Sequence, residues 1–284
     1  MLLETAMRRL EAARALDRPA AALVDLVAPA LRPRLVKNGL SGTWLGHRLH
    51  PAMVPVPMGL WSGALVLDLV GTRAARFGAD VLTGAGVAAA VPTAAAGLSD
   101  WSDTSGPPRR VGLLHAAVNS VALSCYAASL LARLLRQRKP AVGLSLAGAG
   151  AMLVGGYLGG HLSYVQAVGV ERKAFVDGPR EWTAALADAD LPEGQPHMVA
   201  VAGAPVLLYR WGGTVHALAD RCNHMSGPLH EGRFEDGCVT CPLHGSTFRL
   251  RDGSVVRGPA AASQPTYQVR VADGAIQVRL DAPA

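Results

Sequence analysis

Apolar positions follow two different patterns along the chain, and the change falls near Glu171. Before it they form long runs. Residues 54–70 are broken only by Asp68, and residues 81–98 carry no charge. Residues 111–131 hold no charge beyond a possible one on His115, and residues 141–170 have His161 as their main titratable group. A helix needs about 20 apolar residues to cross the hydrocarbon core, so the pattern predicts four transmembrane helices. Buried helices of a soluble bundle would need polar faces at helical spacing, and almost none is present. Gly84, Gly86, Gly148, Gly150, Gly155 and Gly156 suit close helix packing in lipid. Upstream, residues 3–31 read as an amphipathic helix on the membrane surface, interrupted at Pro19 and carrying Arg8, Arg9, Arg14 and Arg18. The Arg8-Arg9 pair precedes Leu-Glu-Ala-Ala-Arg rather than an apolar core, which argues against a twin-arginine export signal.

After Glu171 apolar and polar residues alternate between turn signals. Met198 to Ala202, Pro205 to Trp211 and Thr214 to Leu218 read as strands, and Gly212-Gly213 as a hairpin turn. Arg251-Asp252-Gly253-Ser254 and Ala272-Asp273-Gly274 mark two more turns. The expected organisation is an amphipathic region over 1–46, an all-α four-helix transmembrane bundle over 47–170, and an all-β antiparallel sandwich over 171–284.

Composition agrees. Hydrophobic residues make up 50 % of the 284 and charged ones 17 %, against about 25 % charged in ordinary soluble domains. That excludes a disordered chain. A net charge of +6 is modest, and the apolar runs point to membrane lipid rather than nucleic acid as partner. Four Cys are too few for a disulfide scaffold. With four spans, Arg34, Lys37, Arg48, Arg109, Arg110, Arg172, Lys173 and Arg180 share one side, and Arg73, Arg76, Arg133, Arg136, Arg138 and Lys139 the other. Eight against six places both termini in the cytoplasm.

The cysteines matter through their spacing. Cys222-Asn223-His224 is followed, after sixteen residues, by Cys241-Pro242-Leu243-His244. Each loop supplies one thiolate and one imidazole, two soft sulfurs and two nitrogens in all. A single tetrahedral zinc, giving a zinc-stabilised interaction module, could use the same four donors. With Gly245-Ser246-Thr247-Phe248 and Gly258-Pro259-Ala260, residues 171–282 resemble the Rieske [2Fe–2S] family. The resemblance implies Cys222 and Cys241 on one iron, and His224 and His244 on the other with their outer ring nitrogens at the surface. It also implies Ser246 as a hydrogen-bond donor to the cluster and Pro259 in the loop that covers it. Against the high-potential members, Gly227 and Leu243 stand where the loop disulfide would be, and Phe248 where a tyrosine would be. Fewer hydrogen bonds stabilise the reduced cluster less, which implies a potential low in the range of about −150 to +300 mV, as in Rieske-type ferredoxins. Cys238 reads as a small strand residue and Cys125 as span packing, while His197, His216 and His230 read as surface or turn residues.

Ionisable groups inside spans are costly and mark function. Asp68, Asp100, His115, Asn119 and His161 qualify, with His47 and His50 just before the first span. Alternating directions bring His50, His115 and His161 to one face, and Asp100 and Trp101 with them; Asp68 belongs to the other. The stretch from His50 through Pro51, Met58 and Trp61, with Asp68 and Gly159-Gly160-His161, resembles a four-helix membrane family of unknown function over about residues 45–170. The expected activity is single-electron transfer between a reductase or quinol and an acceptor protein, from the cytoplasmic face of the cell membrane. An alternative is a membrane oxidoreductase whose spans bind haem b or quinone through two of His50, His115 and His161. The residues show no nucleotide fingerprint and no mononuclear iron site, so an oxygenase is not expected.

Overall fold

The computed structural model describes residues 2–280. It divides into two compact units, Met1–Pro33 with Leu49–Gly169, and Arg34–Arg48 with Val170–Ala284. The division differs from the sequence expectation, which kept 1–46 as one region.

The helical unit contains α1 (Leu2–Ala12) and α2 (Asp17–Leu31); α3 (Arg34–Ser41) belongs to the other unit; then follow α4 (Leu49–Met53), α5 (Pro55–Val70), α6 (Arg73–Ser102), α7 (Gly106–Leu134) and α8 (Arg138–Gly160). Four stretches are long and apolar enough to cross a membrane: Leu49–Val70, Arg73–Ser102, Gly106–Leu134 and Arg138–Val165. Small residues allow their packing. The Trp61 ring lies against Gly86 and stacks on Tyr126 at 4.1 Å, and Tyr126 in turn lies against Gly148. Asp68, buried at the end of α5, pairs with Arg133 at 2.5 Å, and Arg133 reaches Asp80 at 2.8 Å; Arg138 bonds both carboxylates. A charge this deep is tolerated only when paired.

Two boundaries and one buried face depart from expectation. The N-terminal helix breaks at Ala13–Leu16 rather than at Pro19, which sits in the first turn of α2, where a missing N–H costs nothing. Met7 on α1 is buried with Val111 and Leu158, so this helix has a protein-facing side. The fourth span stops being α-helical at Gly160 and closes in a π turn over His161–Val165, short of residue 170.

The second unit is all β apart from α3 and short 3-10 turns. Its strands are β1 (Thr183–Ala187), β2 (Pro196–Val201), β3 (Ala204–Trp211), β4 (Thr214–Ala219), β5 (Arg233–Glu235), β6 (Cys238–Thr240), β7 (Thr247–Arg249), β8 (Val255–Arg257), β9 (Thr266–Ala272) and β10 (Ala275–Leu280). They form a six-stranded sheet in the order β1-β10-β9-β4-β3-β2 and a four-stranded one in the order β5-β6-β7-β8, all antiparallel. Four hairpins close with two residues at positive φ: Ala202-Gly203, Gly212-Gly213, Asp236-Gly237 and Asp273-Gly274. That geometry matches the twist of the strands it joins. One apolar core includes Val206, Leu208, Tyr267, Ile276 and Val278 of the large sheet. The other joins Leu207, Tyr209 and Leu218 to Val239 and Phe248 of the small sheet, and it contains Cys222 and Cys241.

Candidate metal centre

The two cysteine loops have the same internal construction. The Cys222 N–H donates to Gly227 O and Cys222 O accepts from the Ser226 N–H, both at 2.8 Å. In the second loop the Cys241 N–H donates to Ser246 O at 2.8 Å and Cys241 O accepts from the Gly245 N–H at 3.1 Å. The fourth residue after each cysteine, Ser226 or Gly245, adopts positive φ. The free thiols of Cys222 and Cys241 hydrogen-bond each other. The His224 and His244 rings meet edge to face with centroids 5.0 Å apart. The structure therefore brings the two expected sulfurs together as one pair and the two expected imidazoles together as another.

Their electrostatics suit metal binding. The bond from the neighbouring sulfur and then burial raise Cys222, and the same bond lowers Cys241. Burial first, then Arg48, His244, Lys37 and Arg172, push His224 down to about 2, which keeps that imidazole neutral. His224 is 5 % exposed and His244 only partly buried. The two rings are thus unequally exposed. The buried one lies among Arg48, Lys37 and Arg172.

A third loop closes the site. The Gly258-Pro259 peptide is cis, and the Ala260 N–H donates to Ser246 Oγ at 3.0 Å. Accepting that bond leaves the Ser246 hydroxyl proton available to another acceptor. Arg257 reaches Gly245 O at 3.1 Å and Gly258 O at 3.0 Å. A Cβ at Gly227 would meet Cys241 Sγ at 2.7 Å and Leu243 at 3.1 Å, so the two positions that would carry a loop disulfide do lie side by side. Phe248 is fully buried and brings no hydroxyl.

Sequence reasoning passed over several residues. Asn223 is fully buried, donating from Nδ2 to Ala262 O at 2.6 Å. The Gln264 side chain accepts from the Asn223 N–H and donates to Ala219 O and Arg221 O. Asp220 Oδ1 accepts from both the N–H and Nδ1 of His230, a turn residue as expected. Asn223 and Gln264 are amides, and the partners of all these residues are backbone groups or lie ten or more positions away, so no spacing pointed to them. Cys238 opens β6 opposite Arg249, as a strand residue. His197 and His216 lie in β2 and β4 rather than in turns.

In the helical unit His50 and His115 come together, with ring centroids 6.3 Å apart. His50 Nδ1 bonds Thr93 O and His115 Nδ1 bonds Gly155 O, both at 2.9 Å. His161 does not join them, because its Nε2 is held by the Glu11 carboxylate at 2.8 Å.

Comparison with known proteins matches residues 181–268 to the Rieske [2Fe-2S] domain, and residues 46–172 to a predicted membrane protein family, DUF2231. The anthranilate 1,2-dioxygenase ferredoxin subunit of Burkholderia cepacia is 32 % identical over 100 residues, covering 35 % of this chain and 93 % of that protein. The 3-phenylpropionate/cinnamic acid dioxygenase ferredoxin subunit of Escherichia coli K12 is 38 % identical over 94 residues, covering 32 % and 87 %. Among solved structures, the ferredoxin of carbazole 1,9a-dioxygenase from Nocardioides aromaticivorans IC177 is 30 % identical, covering 35 % of this chain and 96 % of that one, with a TM-score of 0.33. Fold and loops together define an iron–sulfur protein of the ferredoxin-type electron-transfer class. The chain belongs to the Rieske [2Fe–2S] family, here joined to a predicted membrane region.

Proposed function

We propose that this chain is a membrane-anchored Rieske ferredoxin that passes single electrons between a reductase or quinol and an acceptor protein. The observation that carries the reading is the pair of identically built loops, which set thiol against thiol and imidazole against imidazole. Cys222 and Cys241 would hold one iron and His224 and His244 the other. When bound, the cluster supplies a site that accepts and releases one electron. Ser246, its oxygen already accepting from the Ala260 N–H, would give its proton to the cluster. Pro259 and Ala260 keep water off that side, and Ala260 is fully buried. A partner protein docks at His244, beside the exposed Leu243. Relatives named as ferredoxin subunits favour a protein acceptor. The four apolar helices would anchor the chain in the cell membrane, with the β unit on the cytoplasmic side.

The absent loop disulfide and absent tyrosine hydroxyl give a low potential. Redox titration of the purified full chain, followed by electron paramagnetic resonance, should yield a midpoint in the lower part of about −150 to +300 mV. A value near the top overturns the ferredoxin reading. A colourless preparation with one zinc and no acid-labile sulfide would instead make the β unit a zinc-stabilised interaction module.

A second reading places a redox group in the spans as well, and the His50–His115 pair favours it. Metal–nitrogen bonds of about 2 Å would put two imidazoles on one ion at roughly this ring spacing. Both Nδ1 atoms are already engaged with backbone carbonyls, which orients ligand imidazoles. The same pair could bond a quinone oxygen. A reduced-minus-oxidised spectrum without haem bands ends the haem b version, and quinol oxidation no faster than in a His115→Ala variant ends the quinone version.

A further inference from the structure

Residues 34–48 precede the first apolar run, outside the Rieske match of 181–268, yet they pack as part of the β unit. The contact is specific. Asn38 lies on α3, alongside β8. Its Nδ2 donates to Val256 O at 3.1 Å and its Oδ1 accepts from the Gly258 N–H at 2.9 Å, so one amide holds the peptide groups on both sides of Arg257. Thr43 Oγ1 closes the turn after α3 by donating to Asn38 O at 3.2 Å. Ser41, fully buried, lies so near that a Cβ at Gly258 would sit 3.2 Å from its Oγ and 3.3 Å from its Cβ. From Gly258 the chain passes through Pro259 to Ala260, whose N–H donates to Ser246 Oγ, and Ser246 O accepts from the Cys241 N–H. An unbroken series of bonds and peptides therefore runs from Asn38 to a candidate iron ligand.

We propose that Asn38 is a positioning residue for the cluster, and that Arg34–Arg48 forms a brace holding the covering loop in place through it. The proposal rests on the cluster reading above. Backbone groups that share one side-chain amide lose their partners together when it is removed. The loop 258–260 then moves off the cluster, water enters, and the Ser246 bond loosens. Loss of sulfide hydrogen bonding destabilises the reduced form and lowers the midpoint.

The test uses the full-length protein in detergent, with chelator-induced bleaching of the visible absorption, the midpoint potential and the resonance g-values as readouts. Asn38→Ala should bleach about tenfold faster than wild type, one hydrogen bond's worth of loop opening, with a lower midpoint and shifted g-values. Asn38→Asp keeps the acceptor for the Gly258 N–H and should bleach at an intermediate rate. Gly258→Ala, which presses on Ser41, should reproduce the Asn38→Ala behaviour, and the double change Ser41→Gly with Gly258→Ala should restore it. This pair decides the matter if Asn38→Ala is not recovered folded. Leu35→Ala, on the exposed side of α3, should match wild type. Wild-type bleaching, midpoint and g-values in both Asn38→Ala and Gly258→Ala overturn the brace while leaving the cluster reading intact. A wild-type protein without any iron–sulfur signal removes that reading, and the brace with it.

Discussion

Gln264 has no affinity for metal, yet its 2 %-exposed side chain ties the first cysteine loop to the end of β4 and to the segment that follows the covering loop. Replacing it by Ala leaves the Asn223 N–H and two carbonyls without partners inside the fold. Gln264→Ala should cost about 3 kcal/mol in denaturant unfolding of the β unit; a loss below about 1 kcal/mol would show that water replaces the amide. Gly227 is needed for a different reason. Any side chain there meets Cys241 Sγ, so Gly227→Val should abolish iron incorporation, read as iron and sulfide per chain. His216 makes a pH prediction. Burial holds its pKa below the ordinary value, so the unfolded chain binds its proton first as pH falls. Stability from this site is full above about pH 6.5 and is lost progressively below it. His216→Gln should flatten the acid side of a stability-versus-pH curve, and an unchanged slope would contradict the burial argument.

Among the elements, those built from local signals were legible in advance. The alternation over Pro205 to Trp211 became β3, and Gly212-Gly213 its turn. The hairpin at Ala202-Gly203 was missed because alanine seldom takes the φ of 50° that it adopts there. The four long apolar helices were legible from apolar length alone, and the two Cys–His loops from spacing. The role of α3 was not. Its Leu35 is exposed, its basic residues count only as charges beside the first apolar run, and its bonds go to Val256 and Gly258 across the whole sequence. In the helical unit, Asp68 reads as a helix-pairing or interface residue of the far face, and it does pair with Arg133 and Arg138, which at 65 and 70 residues away no spacing could name. Arg133→Met strips a buried cation from two carboxylates and should cost about 3–5 kcal/mol, seen as a lower melting temperature in detergent. An unchanged melting temperature would mean that Arg138 suffices.

At the scale of the molecule, an iron–sulfur unit and a unit of four apolar helices are built from interleaved stretches of sequence. Cys222 and Cys241 belong to the apolar core that joins the two sheets, so removing the metal removes part of what organises that core. Acid or chelator treatment should lower the unfolding temperature of the β unit while far-ultraviolet helical dichroism persists; simultaneous loss of both signals would contradict independent units. The unequal burial of His224 and His244 has a kinetic consequence. With one imidazole enclosed and the other at the rim, the proposed carrier would take in and give up electrons by the same doorway. Donor and acceptor would then take turns, each departing before the other docks, and an excess of either partner should slow turnover rather than saturate it.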